Sequence, residues 1–244
     1  LRGHNVTLYE KSSHLGGALR LGAVPPGKGD LANLVRSYID HCTKAGVTIV
    51  IETEVTPALV AEKHPDEVIL ATGSQPFYPP IPGLKESGVV TATQVLAGEV
   101  TSGPKVLMVG GGMVGCETAE FLCEIGHQVS LIKRRNELAP DIIPEHRIYL
   151  LENLKEHGLQ FTPGAAVEEF IPGGVRYTKN GAQQELSGFD TVVLAMGTHS
   201  QETMEASYRA AGLNAILVGS AEMPGRIAGA TRDGFEKAWG FEAE

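Results

Sequence analysis

The feature that most constrains this chain is a glycine string, Gly110-x-Gly112-x-x-Gly115, set between a continuous apolar run, Lys105–Val109, and a helical stretch, Met113–Ile125. A glycine string alone is weak evidence. This one closes a strand and opens a helix, and a further strand, Gln128–Ile132, follows. In that order each glycine has a physical task. Gly110 permits a tight turn, Gly112 lets backbone approach a diphosphate, and Gly115 lets the helix pack close to the strand. The first helical turn, with Met113 and Val114, presents N–H groups that have no intrahelical partner and carries the positive end of the helix dipole. The segment therefore reads as a turn that binds a dinucleotide diphosphate.

The chain also repeats itself. Gly3-His4-Asn5-Val6-Thr7-Leu8-Tyr9-Glu10 aligns without gaps on Gly126-His127-Gln128-Val129-Ser130-Leu131-Ile132-Lys133, and Asp66–Gly73 aligns on Asp190–Gly197. Two landmarks in the same order, twice, are the pattern of a duplicated nucleotide-binding fold. Strands are expected at Asn5–Tyr9, Val47–Ile51, Val68–Leu70, Leu159–Phe161, Val175–Thr178, Thr191–Leu194 and Ile216–Val218. Helices are expected over Asp30–Ala45 and Glu145–His157. Asp30 is placed at a helix start and Gly46 at its stop. Alternating helices and apolar strands predict an α/β fold layered on parallel sheets. The proline-rich segment Pro76–Gly83 is read as a crossover or hinge.

The first copy lacks a glycine turn. A dinucleotide unit needs strand, G-x-G-x-x-G and helix about 25–30 residues before the Gly3-His4 turn, and the chain starts at Leu1 with no targeting segment. The expectation is a fragment of a longer protein with two Rossmann-like domains. The first, incomplete one spans residues 1–100 and 200–244 and binds FAD; the second spans 101–199 and binds NAD(P). Loss of a central strand exposes two ladder edges and invites association, so a homo-oligomer is possible.

Composition narrows the partners. There are 20 Lys and Arg against 29 Asp and Glu, a formal charge of −9. Such a chain has no overall attraction for nucleic acid or anionic lipid. The uncharged stretch Val68–Leu84 is barred from a membrane by its prolines. Cys42, Cys116 and Cys123 include no C-x-x-C, so no thiol redox centre, zinc site or iron–sulfur cradle is expected. Free thiols and the lack of a signal peptide place the chain in the cytoplasm. The 8 histidines show no metal-ligand spacing. Glu117, Glu120 and Glu124 share a helix face and read as solvated, Glu117 in the first turn where its charge suits the dipole.

The residue at the end of the strand after the turn reads the ribose, an acid for a free 2′-hydroxyl and a cation for a 2′-phosphate. Glu10 holds that position in the first copy, which suits the adenosine of FAD. Lys133, followed by Arg134 and Arg135, holds it in the second. Three cations favour NADPH over NADH; the alternative is a solvated basic strand end.

Arg2-Gly3-His4, Val6, Leu8 and Glu10 followed by Leu15-Gly16-Gly17 resemble the second half of the FAD fingerprint of flavoproteins with two dinucleotide-binding domains. Leu15–Asp30, with Leu19-Arg20 and Pro25-Pro26-Gly27-Lys28-Gly29, is similar to the C-terminal half of 2-enoate and 2,4-dienoyl-CoA reductases, long members of the NADH:flavin oxidoreductase (old yellow enzyme-like) family. Trimethylamine and histamine dehydrogenases share that architecture. The resemblance runs from Leu1 to about Trp239. It implies an N-terminal barrel carrying FMN and a 4Fe-4S cluster, which at ~250 residues lies outside this chain. It also implies electron flow from NAD(P)H to FAD, then to the cluster and FMN. It assigns Glu10, Lys11, Gly16, Gly17, Val55, Ala71, Thr72 and Gly73 to FAD. Gly110, Gly112, Met113, Val114 and Gly115 go to the nicotinamide nucleotide, flanked by Ala195, Met196 and Gly197. Gly219 and Ser220 stand where the family has Gly-Asp, the Asp contacting the ribityl chain; a Ser there offers no charge. No side chain is assigned a catalytic role, since the cofactors carry the chemistry. Two other readings fit these residues: an ADP-binding domain without turnover, and an electron-transfer subunit of the glutamate synthase type.

Overall fold

The computed structural model describes residues 3–241, so Arg2 lies outside the described residues. They form two compact units. Among the described residues the first comprises residues 3–23, 30–75 and 198–241, and the second residues 24–29 and 76–197. The chain passes between them on either side of residues 24–29, within β4 (Gln75–Pro76) and just before β13 (Thr198–His199). The boundary expected at residue 100 falls instead at 75. The reason is that β5 (Val90–Thr91) pairs in parallel with β12 (Thr191–Leu194), which binds residues 76–100 to the second unit.

The second unit is built on a five-stranded parallel sheet. Its order is β5, β12, β6 (Lys105–Val109), β7 (Gln128–Ile132) and β8 (Gln160–Thr162). The apolar run of β6 takes the central place with Val106, Leu107 and Met108 fully buried. A strand buried on both faces cannot alternate polar and apolar residues. Val106, Met108, Val129, Leu131 and Val193 face one core with α4 (Ala92–Ala97), α5 (Met113–Glu124) and α6 (Pro144–Glu156). Leu107, Val109, Ile132, Val192 and Leu194 face the other, packed on Phe170, Val175 and Tyr177. Phe170 belongs to an antiparallel meander, β9 (Ala166–Ile171), β10 (Gly174–Lys179) and β11 (Ala182–Leu186). The sequence reading expected parallel sheets throughout and only one strand here. The outer strand β11 is polar and exposed, and this weakened its pattern.

The first unit holds two separate parallel ladders. β1 (Thr7–Tyr9) pairs with β2 (Thr48–Val50), and β3 (Val68–Leu70) pairs with β14 (Ala215–Leu217). The helix α2 (Asp30–Lys44) ends as predicted at Gly46, whose φ of 79° suits glycine. Asp30 lies in its first turn, where its carboxylate accepts from the Asn33 side-chain amide at 3.2 Å. The other helices are α1 (Gly17–Gly22), α3 (Pro57–Ala61), α7 (Glu202–Ala210) and α8 (Ile227–Trp239). Among the described residues no helix is long and apolar enough to cross a membrane.

Candidate functional site

The turn between β6 and α5 is shaped by close backbone packing. Gly110 has a φ of 111°, and a Cβ there would overlap the carbonyl oxygen of Ala195, at the end of the neighbouring strand. A Cβ on Gly115 would overlap the carbonyl oxygen of Gly110. These two glycines are demanded by the fold. Gly111 was not singled out in the sequence, yet its Cβ would meet Leu138 at 2.7 Å and Leu131 at 2.9 Å. Gly112 differs. Its backbone is extended (φ −77°), and the first atoms a Cβ would meet are the Asp141 carboxylate oxygens at 3.6 and 3.7 Å. Neither packing nor dihedral requires glycine there, so the missing side chain leaves open space at the head of a 12-residue helix.

The structure gathers Gly110, Gly112, Met113, Val114, Gly115, Ala195 and Met196 around this turn. Val114 and Met196 keep 47% and 40% of their surface exposed, leaving apolar side chains in solvent beside it. Gly197 follows with a φ of 95° and nothing within 4 Å of a Cβ.

The cations after β7 divide. Lys133 donates to the carbonyls of Gly111 and Glu137, both at 2.7 Å. Burial holds its pKa below the ordinary lysine value. Its ammonium braces the glycine turn from beneath, so the expected triplet of phosphate-reading cations reduces to Arg134 and Arg135, both exposed. The carbonyl of Gly111 also accepts from Ala139 N–H at 2.9 Å.

Of the three acids of α5 expected in solvent, Glu124 is exposed, whereas Glu117 and Glu120 are buried, and Glu117 sits a full turn inside the helix. Lys28, from the Pro25–Gly29 loop, donates to the Glu117 carboxylate. Asn153 on α6 donates to Glu120 at 2.8 Å. Burial raises the Glu120 pKa above the usual carboxylate range. The unbroken helical pattern gave no cue to this, because the partners are remote in sequence. Cys116 and Cys123 are buried, with pKa values pushed up to about 12 and about 11 by desolvation. Such thiols are inert.

In the first unit, β3 and β14 end side by side, which brings Ala71, Thr72 and Gly73 to the same end as Gly219 and Ser220. Gln201 donates to the carbonyls of Thr72 and Gly73 at 3.2 and 2.8 Å. The Gly219 N–H is held at 2.5 Å by Asp233 on α8, a residue the sequence reading missed. Val55 accepts through its carbonyl from the Tyr208 hydroxyl at 2.9 Å. Glu10 and Lys11 belong to the other ladder, where Glu10 accepts from the Ser12 N–H at 2.8 Å. Gly16 has a φ of 110°, and a Cβ there would press on Val35 at 2.7 Å; a Cβ on Gly17 would meet nothing within 4 Å. Among the described residues no group of His, Cys, Asp and Glu could hold a metal ion.

Comparison with known proteins follows this geometry. The chain is 34% identical over 248 residues to an NADH oxidase of Thermoanaerobacter brockii, covering 98% of this chain and 37% of that protein. It is 31% identical over 271 residues to a metal reductase of Desulforamulus reducens, covering 98% and 40%. The chain thus spans well under half the length of these curated relatives. Among solved structures it superposes on a 2-naphthoyl-CoA reductase with a TM-score of 0.93 at 24% identity, over 99% of this chain and 37% of that one. It superposes on a histamine dehydrogenase of Rhizobium sp. 4-9 with a TM-score of 0.88 at 21% identity, over 100% and 41%. At these identities the superpositions speak for the α/β fold alone. The family model described as pyridine nucleotide-disulphide oxidoreductase matches residues 3–218, and by that match the chain belongs to this family of oxidoreductases.

Proposed function

We propose that the chain is the FAD- and NAD(P)H-binding portion of a longer flavin oxidoreductase, similar to enoate and dienoyl-CoA reductases. The observation that carries the proposal is the contrast within the glycine string. Gly110 and Gly115 are required by backbone contacts, whereas Gly112 is required by none and leaves space at a helix N-terminus. A diphosphate is the ligand for which such a space is suited. Gly112, Met113 and Val114 would hold it with backbone N–H groups, and Arg134 and Arg135 would favour a 2′-phosphate on the ribose. When bound, the nicotinamide supplies a hydride to the flavin; the protein supplies position and electrostatics. Val114 and Met196 keep apolar surface beside the turn, and Lys133 fixes its shape. Glu10, Gly17 and the ends of β3 and β14 are the residues suited to FAD. The buried, high-pKa cysteines and the lack of a Cys pair in register fit a reductase that passes electrons without a thiol relay. The N-terminal FMN and 4Fe-4S barrel and the unsaturated acceptor belong to the rest of that enzyme.

The test is titration of the purified chain with NADH and NADPH, followed by nucleotide fluorescence. Gly112→Val should weaken both by about a hundredfold while leaving the circular dichroism spectrum near wild type, since two charge-assisted hydrogen bonds are lost. Unchanged affinity would sink the assignment. A second reading, an ADP-binding domain without turnover, is favoured by Ser220 in place of an acid and by the local engagement of Glu10 with Ser12. Binding of added FAD, seen as a shifted flavin absorbance band, excludes that reading; ADP binding without FAD binding selects it.

A further inference from the structure

The N-terminus of α5 already has an anion against it. Asp141 lies 28 residues downstream, on the segment between β7 and α6, and both its carboxylate oxygens accept from the Met113 N–H, at 3.0 and 3.1 Å. The same two oxygens are the first atoms that a side chain on Gly112 would meet. The carboxylate thus sits in the space that Gly112 leaves open, on a donor that the proposed diphosphate needs. An anion at this position is favoured by the helix dipole and by unpaired N–H groups, and one N–H cannot serve two anions.

The segment that carries Asp141 is held by its neighbours. Ala139 is fully buried, takes a φ of 45°, and donates its N–H to Gly111. A non-glycine residue in that region is strained, and the strain is tolerated because Ala139 packs under the turn. Arg147 reinforces the segment by donating to the Leu138 carbonyl at 2.8 Å and pairing with Glu137. Beyond Ala139 the chain is exposed at Pro140 and Asp141. An anchored residue therefore places an exposed carboxylate on the turn, at the second position after the anchor.

We infer that Asp141 is an internal competitor for the nucleotide site: its carboxylate caps α5 until the diphosphate of NAD(P)H displaces it. The inference rests on the nucleotide-binding reading above and adds a gate to it. A gate of this kind lowers affinity by the fraction of molecules in which the carboxylate is seated. It also stabilises the helix in the absence of nucleotide, as an N-terminal acceptor does. The two effects have opposite signs when the group is removed, which separates a gate from a plain cap.

The experiment titrates NADH, NADPH and ADP into wild type, Asp141→Asn and Asp141→Ala, and measures the melting temperature of each without nucleotide. Asparagine keeps an acceptor for Met113 and removes the charge; alanine removes both. The expected result is a Kd about tenfold lower for Asp141→Ala, with Asp141→Asn between it and wild type, and a lower melting temperature for Asp141→Ala. Variants that bind as wild type does, or more weakly, overturn the gate while leaving the nucleotide site in place. Absence of nucleotide binding by wild type and both variants overturns the site itself and the gate with it.

Discussion

The two units carry the same sequence landmarks and reach different degrees of completion. In the second, the order is β5, β12, β6, β7, β8, and β6 joins the strand that ends in Ala-Met-Gly to the strand after Gly-His. In the first, β14 and β3 correspond to β5 and β12, and β1 and β2 correspond to β7 and β8. Among the described residues nothing corresponds to β6, so the sheet falls into two ladders. The burial differs accordingly: β6 has four residues at 2% exposure or less, whereas Ile69 of β3 remains 44% exposed. A central strand supplies two ladders of hydrogen bonds and two buried faces at once. Without it, flanking strands keep their pairing to one neighbour and lose their shared core.

The largest effect is expected where the completed unit packs most tightly. Gly110→Ala places a Cβ on the Ala195 carbonyl in a left-handed conformation, and should cost about 3 kcal/mol or more in thermal or urea unfolding. Its counterparts at the ends of the shared landmarks, Gly73 and Gly197, have positive φ but open space around a Cβ. Substitution of either by alanine should cost only the backbone term of about 1–2 kcal/mol. Equal costs at all three positions would break the comparison.

Native-state hydrogen exchange sharpens it next. The amides of β6, β7 and β12 should exchange slowest, and those of β1, β2, β3 and β14 at least about a hundredfold faster, since they rest on smaller cores. Comparable protection in both units would mean that the two ladders are as secure as the five-stranded sheet.

A smaller effect concerns the nucleotide. Arg134→Ala with Arg135→Ala should weaken NADPH about tenfold and leave NADH unchanged, because only the 2′-phosphate needs their charge. Parallel loss of both nucleotides would assign these residues a general electrostatic role.

The smallest is a pH effect on the helix that follows the turn. Burial raises the Glu120 pKa, so the folded chain holds that proton more tightly than the unfolded chain does. The associated stability is fully present below the ordinary carboxylate pKa and is lost as pH rises through the raised value. Glu120→Gln keeps an acceptor for Asn153 and removes the charge. Its melting temperature should exceed wild type by about 2 °C near neutrality and match it in acid. An advantage that does not grow with pH would reject burial as the cause.

Much of the fold was legible in the residues. The apolar runs at Lys105–Val109, Gln128–Ile132 and Thr191–Leu194, the glycine string and the repeated landmarks announced an α/β nucleotide-binding fold, because a doubly buried strand must be apolar and a strand-to-helix turn must be free of side chains. The meander from Ala166 to Leu186 was mostly missed, since its outer strand is polar and one-sided patterns are weak. The site divided in the same way. Gly110, Gly112 and Gly115 declare themselves by spacing within six residues. Whether Lys133 faces a ligand or a carbonyl, whether Glu117 meets water or Lys28, and that Asp141 stands at the head of α5 were all decided by packing between segments 22, 89 and 28 residues apart. Spacing along a chain encodes only the contacts that a helix or turn makes with itself; the remaining partners are chosen when the layers close.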